Sequence, residues 1–379
     1  MSNFAKNIGE KRTPVTTPAH IVENGVAHYG TFSEPFQDLN LLDCKKPFFM
    51  KTPSFIKRMR LIEWEAFEVN MDEGSLISAC YNMGPIGFSI FVWHNNADNK
   101  IYAWRNLVPV KRAKVAKQLL SDNCYCKTKK SEYKIINDFA NGKAQCVGHT
   151  KGKSGEFAID ISFERLSPLA NGVMPLMKNK DGSFRNPLYS EKDFFKATGT
   201  ITLNGKTYTT NERSVGIIDD HKGYYPFFSH YDWLTTMGKT EIDGEQKFFA
   251  FNLTRNQSVD QVNYNENVIW LEGDLSRCRP WYSPIKTAKR KRTNGISATR
   301  RDKGLSISLS RSTTCFICPF PWLFITLCLT ARFTATSPTR TAKNTPSTAW
   351  SVSAKTKQLA FNLETPNKKH FFAKCFFLW

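Results

Sequence analysis

The chain has 379 residues, 13% of them aromatic, and a formal charge of +20. A charge of that size invites a nucleic-acid partner, because a basic surface releases counterions from phosphates. Its distribution excludes that reading for most of the chain. Of the 53 basic and 33 acidic residues, 19 and 2 fall in 275–379, which leaves 34 and 31 before residue 275. The first 274 residues are nearly neutral and carry no phosphate-seeking field.

Residues 1–30 are polar and Pro/Thr-bearing and read as an arm. They contain no apolar signal core, which points to the cytoplasm. In that compartment the sequons at Asn252 and Asn256 carry no sugar, and Cys44, Cys80, Cys124, Cys126 and Cys146, which lack a C-x-x-C framework, stay reduced.

From Lys57 the chain reads as short strands with turn punctuation. RMRLIEWEAFEVN turns at Asp72-Glu73-Gly74 into SLISACYN. IGFSIFVWH and KIYAWRNLV are joined across His94–Asn99, which sets His94 at a strand end in solvent. VKRAKVAKQLL, Val110–Leu120, has helical spacing of Val115 and Leu119 and is the one helix expected. Strands resume at EYKIINDF, turn at Asn141-Gly142 into KAQCVGH, and turn again before EFAIDISFE. His149 falls at a strand end.

Residues 167–192, rich in Pro, Gly and Asn, read as a linker between halves. FKATGTITL, a turn at Asn204-Gly205 and KTYTTNER open a second half. SVGIIDDHKGYYPFFSHYDW, EQKFFAFNL and ENVIWLEGD follow. Strands at roughly ten-residue spacing with hairpin turns predict a mainly β protein. The expected architecture is two antiparallel barrel or sandwich halves, 31–166 and 193–277, the second incomplete at its C-terminal end.

After Asp274 the character changes. Residues 275–379 hold 26 Ser and Thr and lose the turn–strand rhythm. Read literally, the tail offers a basic stretch at 277–303, a Cys315/Cys318 pair and an apolar run at 315–330. Back-translation in a frame shifted by one base after Arg277 restores acidic residues, an Asn-Gly turn and alternating strands. Residues 278–379 therefore read as a frame-shifted, largely disordered tail. The basic stretch, the cysteine pair and the apolar run lose functional weight, and no transmembrane segment is expected.

The densest polar–aromatic segment holds Asp219, Asp220, His221, Tyr224, Tyr225, His230, Asp232 and Trp233. Asp219, Asp220 and His221 are the acid–base candidates, since a carboxylate beside an imidazole tunes a proton donor toward neutral pH. The competing reading is an Asp-Asp-His-Lys-Gly turn with Gly223 at positive φ and Tyr225 and Trp233 as core. His221, His230 and Asp232 match metal-ligand spacing only loosely, and no metal or cofactor is expected. Glu266 is a pocket candidate, although Asn265-Glu266-Asn267 reads first as a solvated hairpin edge. Trp64, Trp93 and Trp104, on three first-half strands, would form an aromatic wall or plain core. No G-x-S-x-G elbow and no phosphate loop is present.

The segments GIIDDHKGYYPFFSHYDW, FFAFNL and ENVIWLEGD resemble domain-of-unknown-function family 2804, as do FSEPFQDLNLLDC, KRMRLIEWEAFEV and YAWRNLVP upstream. The likeness spans about residues 20–277. It implies a lipocalin-like double barrel, related distantly to the carotenoid-hydratase group, able to hold a long apolar molecule. Three functions are carried forward. The first is binding of an apolar or amphipathic small molecule in a barrel cavity, lined by Trp64, Trp104, Tyr225, His230, Asp232, Trp233 and Glu266. The second is hydratase-like or hydrolytic acid–base catalysis on the same scaffold. The third is nucleic-acid or membrane association through the tail.

Overall fold

The computed structural model describes residues 12–179, 181–226, 232–242, 245–278 and 280; beyond these it gives the backbone of five strands in the tail. The architecture is mainly β, a large antiparallel sheet nearly closed into a barrel with a second sheet beside it.

The chain enters through three short strands, β1 (Val22–Glu23), β2 (Val26–Ala27) and β3 (Gly30–Phe32), and the helix α1 (Ser54–Arg60). Ten further strands follow: β4 (Ile62–Met71), β5 (Gly74–Asn82), β6 (Ile86–Asn95), β7 (Lys100–Pro109), β8 (Ala113–Lys114), β9 (Asn123–Lys127), β10 (Ser131–Asp138), β11 (Lys143–Gly152), β12 (Gly155–Arg165) and β13 (Asn171–Met174). Then come β14 (Leu188–Leu203), β15 (Lys206–Thr209) and β16 (Val215–Gly223), followed by β17 (Asp232–Ile242), β18 (Glu245–Arg255), β19 (Val268–Leu271) and β20 (Asp274–Arg277). The tail strands are β21 (Ile296–Ala298), β22 (Ser306–Cys315), β23 (Leu327–Thr336), β24 (Leu359–Ala360) and β25 (Phe371–Phe372). The rest of 281–379, and with it most of the segment read as out of frame, lies outside the described residues.

The large sheet runs in the order β7-β6-β5-β4-β16-β14-β12-β11-β10-β9-β8. Tight turns set its registers. Asn204 and Gly205 both take positive φ between β14 and β15, the geometry an Asn-Gly hairpin requires, and Gly142 takes φ 68° before β11. Inward side chains meet across the barrel, where Tyr133 on β10 donates to Ser78 on β5 at 2.8 Å. Phe67, Phe91, Trp93, Trp104, Phe157 and Phe163 fill that interior. β17–β20 form a four-stranded sheet, and Met237, Ala250, Val268 and Trp270 pack on Phe194, Val215 and Ile217 of the large one.

Several expectations change. Val110–Leu120 is not a helix. It is a 3-10 turn, Val110–Arg112, then β8, then irregular chain. Val115, Ala116 and Leu119 are buried in the barrel core, and the Asp122 carboxylate accepts from the Lys117 amide at 2.8 Å. Packing on the barrel outweighs a local spacing that only two turns of chain support. The actual α-helix, Ser54–Arg60, lies in a segment partly read as strand. Residues 167–192 contain β13 and the start of β14, and Ala170, Asn171, Val173, Met174 and Leu188–Lys192 are buried. β14–β16, expected in the second half, join the sheet of the first. His94 is buried, with Nε2 3.1 Å from Asn99 Oδ1, whereas His149 is exposed on β11.

Candidate functional site

Asp219-Asp220-His221-Lys222-Gly223 is not a turn. It is the second half of β16, at the middle of the large sheet between β4 and β14, and every residue of that strand is buried. Gly223 is not among the glycines with positive φ. The period of two then separates the three acid–base candidates. Asp219 and His221 face the second sheet, and Asp220 faces the barrel interior.

On the outer face Asp219 stands opposite Lys192, and His221 stands opposite Ser190 on β14 and Trp64 on β4. The Lys192 Nζ lies 2.5 Å from Asp219 Oδ1, 2.7 Å from Ser190 Oγ, 2.9 Å from His221 Nε2 and 3.5 Å from Glu266 Oε2. Trp64 Nε1 donates to Asp219 Oδ2 at 3.4 Å. Ser190 Oγ donates to Glu266 Oε2 at 2.9 Å, and Asn256 Nδ2 to Oε1 at 3.1 Å. Burial works against the Asp219 carboxylate, but Lys192 and His221 outweigh it and hold its pKa well below the usual carboxylate range. Glu266 is lowered by the same balance, with Asn256 and Ser190 adding hydrogen bonds. Burial likewise opposes the Lys192 charge, and Asp219 and Glu266 reverse it, so its pKa rises.

The imidazole is the pivot. Its Nε2 lies 3.1 Å from Asp219 Oδ1, 3.1 Å from Ser190 Oγ and 2.9 Å from Lys192 Nζ, while Nδ1 meets Tyr225 Oη at 3.1 Å. A serine-nucleophile triad needs the hydroxyl and the carboxylate on opposite ring nitrogens. Here both approach the same nitrogen, so Ser190 is no such nucleophile. An ammonium can only donate and a carboxylate can only accept. Nε2 therefore accepts from Lys192 when unprotonated and donates to Asp219 when protonated. Asp219 and Glu266 thus share the single ammonium of Lys192.

The inner face holds a second buried cluster. Glu65, Asp220 and Glu191 stand side by side on β4, β16 and β14. Lys222 Nζ lies 2.6 Å from Asp220, Arg165 donates to Asp193 at 2.8 Å, and Tyr189 Oη donates to Glu191 at 2.5 Å. Burial, then the charge of Asp220, pushes the Glu65 carboxyl up to about 7. Burial and Asp193 push Glu191 well above the usual range, and burial raises Asp220.

The aromatic wall is split by the same alternation. Trp93 and Trp104 lie inside the barrel, where Trp104 stacks on Phe157 at 4.7 Å and donates to the Gly155 carbonyl at 3.0 Å. Trp64 lies outside and stacks on His221 at 4.5 Å and on Tyr225 at 5.6 Å. Asn265-Glu266-Asn267 is not a solvated edge. All three residues are buried. Asn171 and Asn252 donate to the Glu266 carbonyl, and Arg12 donates to that of Asn267. Trp233 is buried and donates to Asn252 Oδ1 at 2.6 Å, one hydrogen bond from Glu266. Asp232 is described by its backbone, paired with Arg255. His230 lies outside the described residues. Among the described residues no group of three or more His, Cys, Asp or Glu is placed to hold a metal, and no helix is long and apolar enough to cross a membrane.

Sequence reading missed Lys192 and Ser190. The signal is Ser-Glu-Lys-Asp at 190–193, consecutive polar residues with charges of both signs, flanked by Leu188-Tyr189 and Phe194-Phe195 in the buried first half of β14. It becomes informative only once paired with Asp-Asp-His at 219–221.

The family described as "Domain of unknown function (DUF2804)" matches residues 13–285. Comparison with curated proteins gave no match. Among solved structures, kievitone hydratase from Nectria haematococca aligns with a TM-score of 0.46 at 9% identity, over 84% of this chain and 88% of that one. A putative AttH from Nitrosomonas europaea aligns with a TM-score of 0.44 at 9% identity, over 84% and 92%.

Proposed function

The chain belongs to the DUF2804 family, and from that premise we propose that it binds an apolar or amphipathic small molecule against the outer face of its barrel. The observation that carries this reading is a run of aromatic rings leading away from the polar cluster. His221 stacks on Trp64, Trp64 lies 5.7 Å from Tyr81, and Tyr81 stacks on Phe88 at 4.3 Å. Half-buried Met83 and Ile90 pack at its outer end. An apolar track ending in a few convergent polar groups is the usual form of a ligand site. The barrel interior supports the reading less well, because its own aromatic side chains occupy it.

The polar group that fits is a neutral one, a hydroxyl or a carbonyl. The carboxylates of Asp219 and Glu266 already share the Lys192 ammonium, and a charged ligand group would need a further counter-charge in this buried setting. A second reading, acid–base chemistry on the bound molecule, is favoured by one contact. The His221 Nε2 closes a triangle with the ammonium of Lys192 and the carboxylate of Asp219, which also touch each other directly, so an acid–base group lies within hydrogen-bonding reach of both.

Retinol, a fluorescent polyene alcohol, serves as the probe. The expected result is saturable fluorescence enhancement, weakened at least tenfold by Trp64→Leu and unchanged by Trp104→Phe inside the barrel. Absence of saturable binding, or equal loss in both variants, overturns the proposal.

A further inference from the structure

Helix α1 is inside out. Its one buried side chain is Lys57, whose ammonium caps the carbonyls of Leu42 and Cys44. Its apolar side chains point to solvent: Phe55 is 68% exposed, Met59 53% and Ile56 37%. The loop before it adds Phe49 at 72% and Met50 at 53%. Five large apolar side chains within eleven residues form a patch that a water-facing surface gains nothing by displaying.

Along the chain the charge of this segment is of one sign, with exposed Asp43 just before it and Asp181 near Lys46. From residue 44 to residue 62 there is no acid and there are six bases, Lys45, Lys46, Lys51, Lys57, Arg58 and Arg60. Lys45, Lys46, Lys51 and Arg58 are exposed. Phe, Ile and Met ringed by Lys and Arg is the chemistry of segments that lie in the headgroup–acyl boundary of a bilayer, the rings entering the lipid and the cations meeting anionic headgroups.

We propose that the segment Phe49–Met59 docks the protein on an anionic lipid surface. Two features favour lipid over a protein partner. The segment carries no acid or other charge contrast that would fix the register of a specific protein interface. It is also anchored rigidly from beneath. The Arg60 guanidinium lies 5.2 Å over the Phe48 ring and donates to the Tyr225 carbonyl at 2.9 Å. Tyr225 in turn holds His221 Nδ1, so the docking segment abuts the site proposed above. The docking surface stands on its own observations and does not require that site to bind retinol.

The test is co-sedimentation of the full chain with sucrose-loaded vesicles of phosphatidylcholine and phosphatidylserine, 7:3, at 0.5 M salt, beside the triple variant Phe49→Ser, Phe55→Ser, Met59→Ser. All three positions are more than half exposed, and circular dichroism checks that the fold is kept. Attraction through the basic tail is the same in both chains and is screened at this salt. The expected result is a vesicle partition at least tenfold lower for the variant. Neutralising Lys45, Lys46 and Lys51 to Gln is expected to weaken binding at 0.1 M salt and to do so less at 0.5 M. Equal partition of wild type and triple variant overturns the proposal. So does a vesicle-free, concentration-dependent self-association that the triple variant abolishes, since that would make the patch an interface between copies.

Discussion

Replacing Glu65 by Gln tests the inner carboxylate row. Glu65 is fully buried, directly opposite Asp220, which in turn faces Glu191. Its Oε2 accepts from Asn137 Nδ2 at 3.0 Å and from Cys124 Sγ at 3.2 Å, while Oε1 has no donor. Its folded pKa is raised from 4.5 to about 7 by burial and then by Asp220. The folded state thus holds a proton that the unfolded chain has already released between those values. The resulting stability is complete below pH 4.5 and is lost as the pH climbs through 7. For a fully shifted isolated group the loss is of the order of 3 kcal/mol. Lys222 and Asp220 share the charge, which brings the expected difference to about 1–2 kcal/mol. Gln keeps the acceptor for Asn137 and Cys124, carries no charge, and offers an amide where Oε1 lacks a donor. Glu65→Gln should therefore be near neutral at pH 5 and stabilising by about 1–2 kcal/mol at pH 8. Urea unfolding of both chains at pH 5, 6, 7 and 8 reads the difference directly, since every other titrating group is common to both. A destabilisation of equal size at all four pH values would refute the shared-proton reasoning.

Other outcomes follow from the same geometry. Lys192→Met strips the ammonium from Asp219 and Glu266 and should cost about 3–5 kcal/mol at pH 7, read by denaturant midpoint. Because the Asp219 pKa is depressed, the pairing contributes above its ordinary value of 3.8 and fades as the pH falls below it, so the gap between variant and wild type should narrow in acid. Gly199 has φ 150°, and an added Cβ would lie 2.0 Å from the Asp160 carbonyl oxygen; Gly199→Ala should destabilise by more than about 3 kcal/mol in thermal or chemical unfolding. Gly205→Ala, at φ 80° in open space, should cost about 1–2 kcal/mol.

The strands and most of their turns were legible in the chain because local chemistry sets them. Asn204-Gly205 and Gly142 take the positive φ that their turns require, and the alternation in EYKIINDF and EFAIDISFE matches the inward and outward faces of β10 and β12. Asp219, His221, Tyr225, Trp64 and Glu266 were also singled out from composition, and they do converge. Their partition was not legible. Asp219 and Asp220 are neighbours in sequence, yet a strand sends them to opposite sides of a sheet, and a segment read as a turn gave no such separation. Lys192 entered the site only through the pairing of β14 with β16, a register between segments about thirty residues apart. Val110–Leu120 carried a helical spacing that packing on the barrel overrode, and α1 was hidden because its apolar residues face outward, the reverse of the pattern that marks a helix. Short-range chemistry alone thus fixed where this chain extends and turns, while strand pairing and burial, which depend on distant residues, decided which charges share a face.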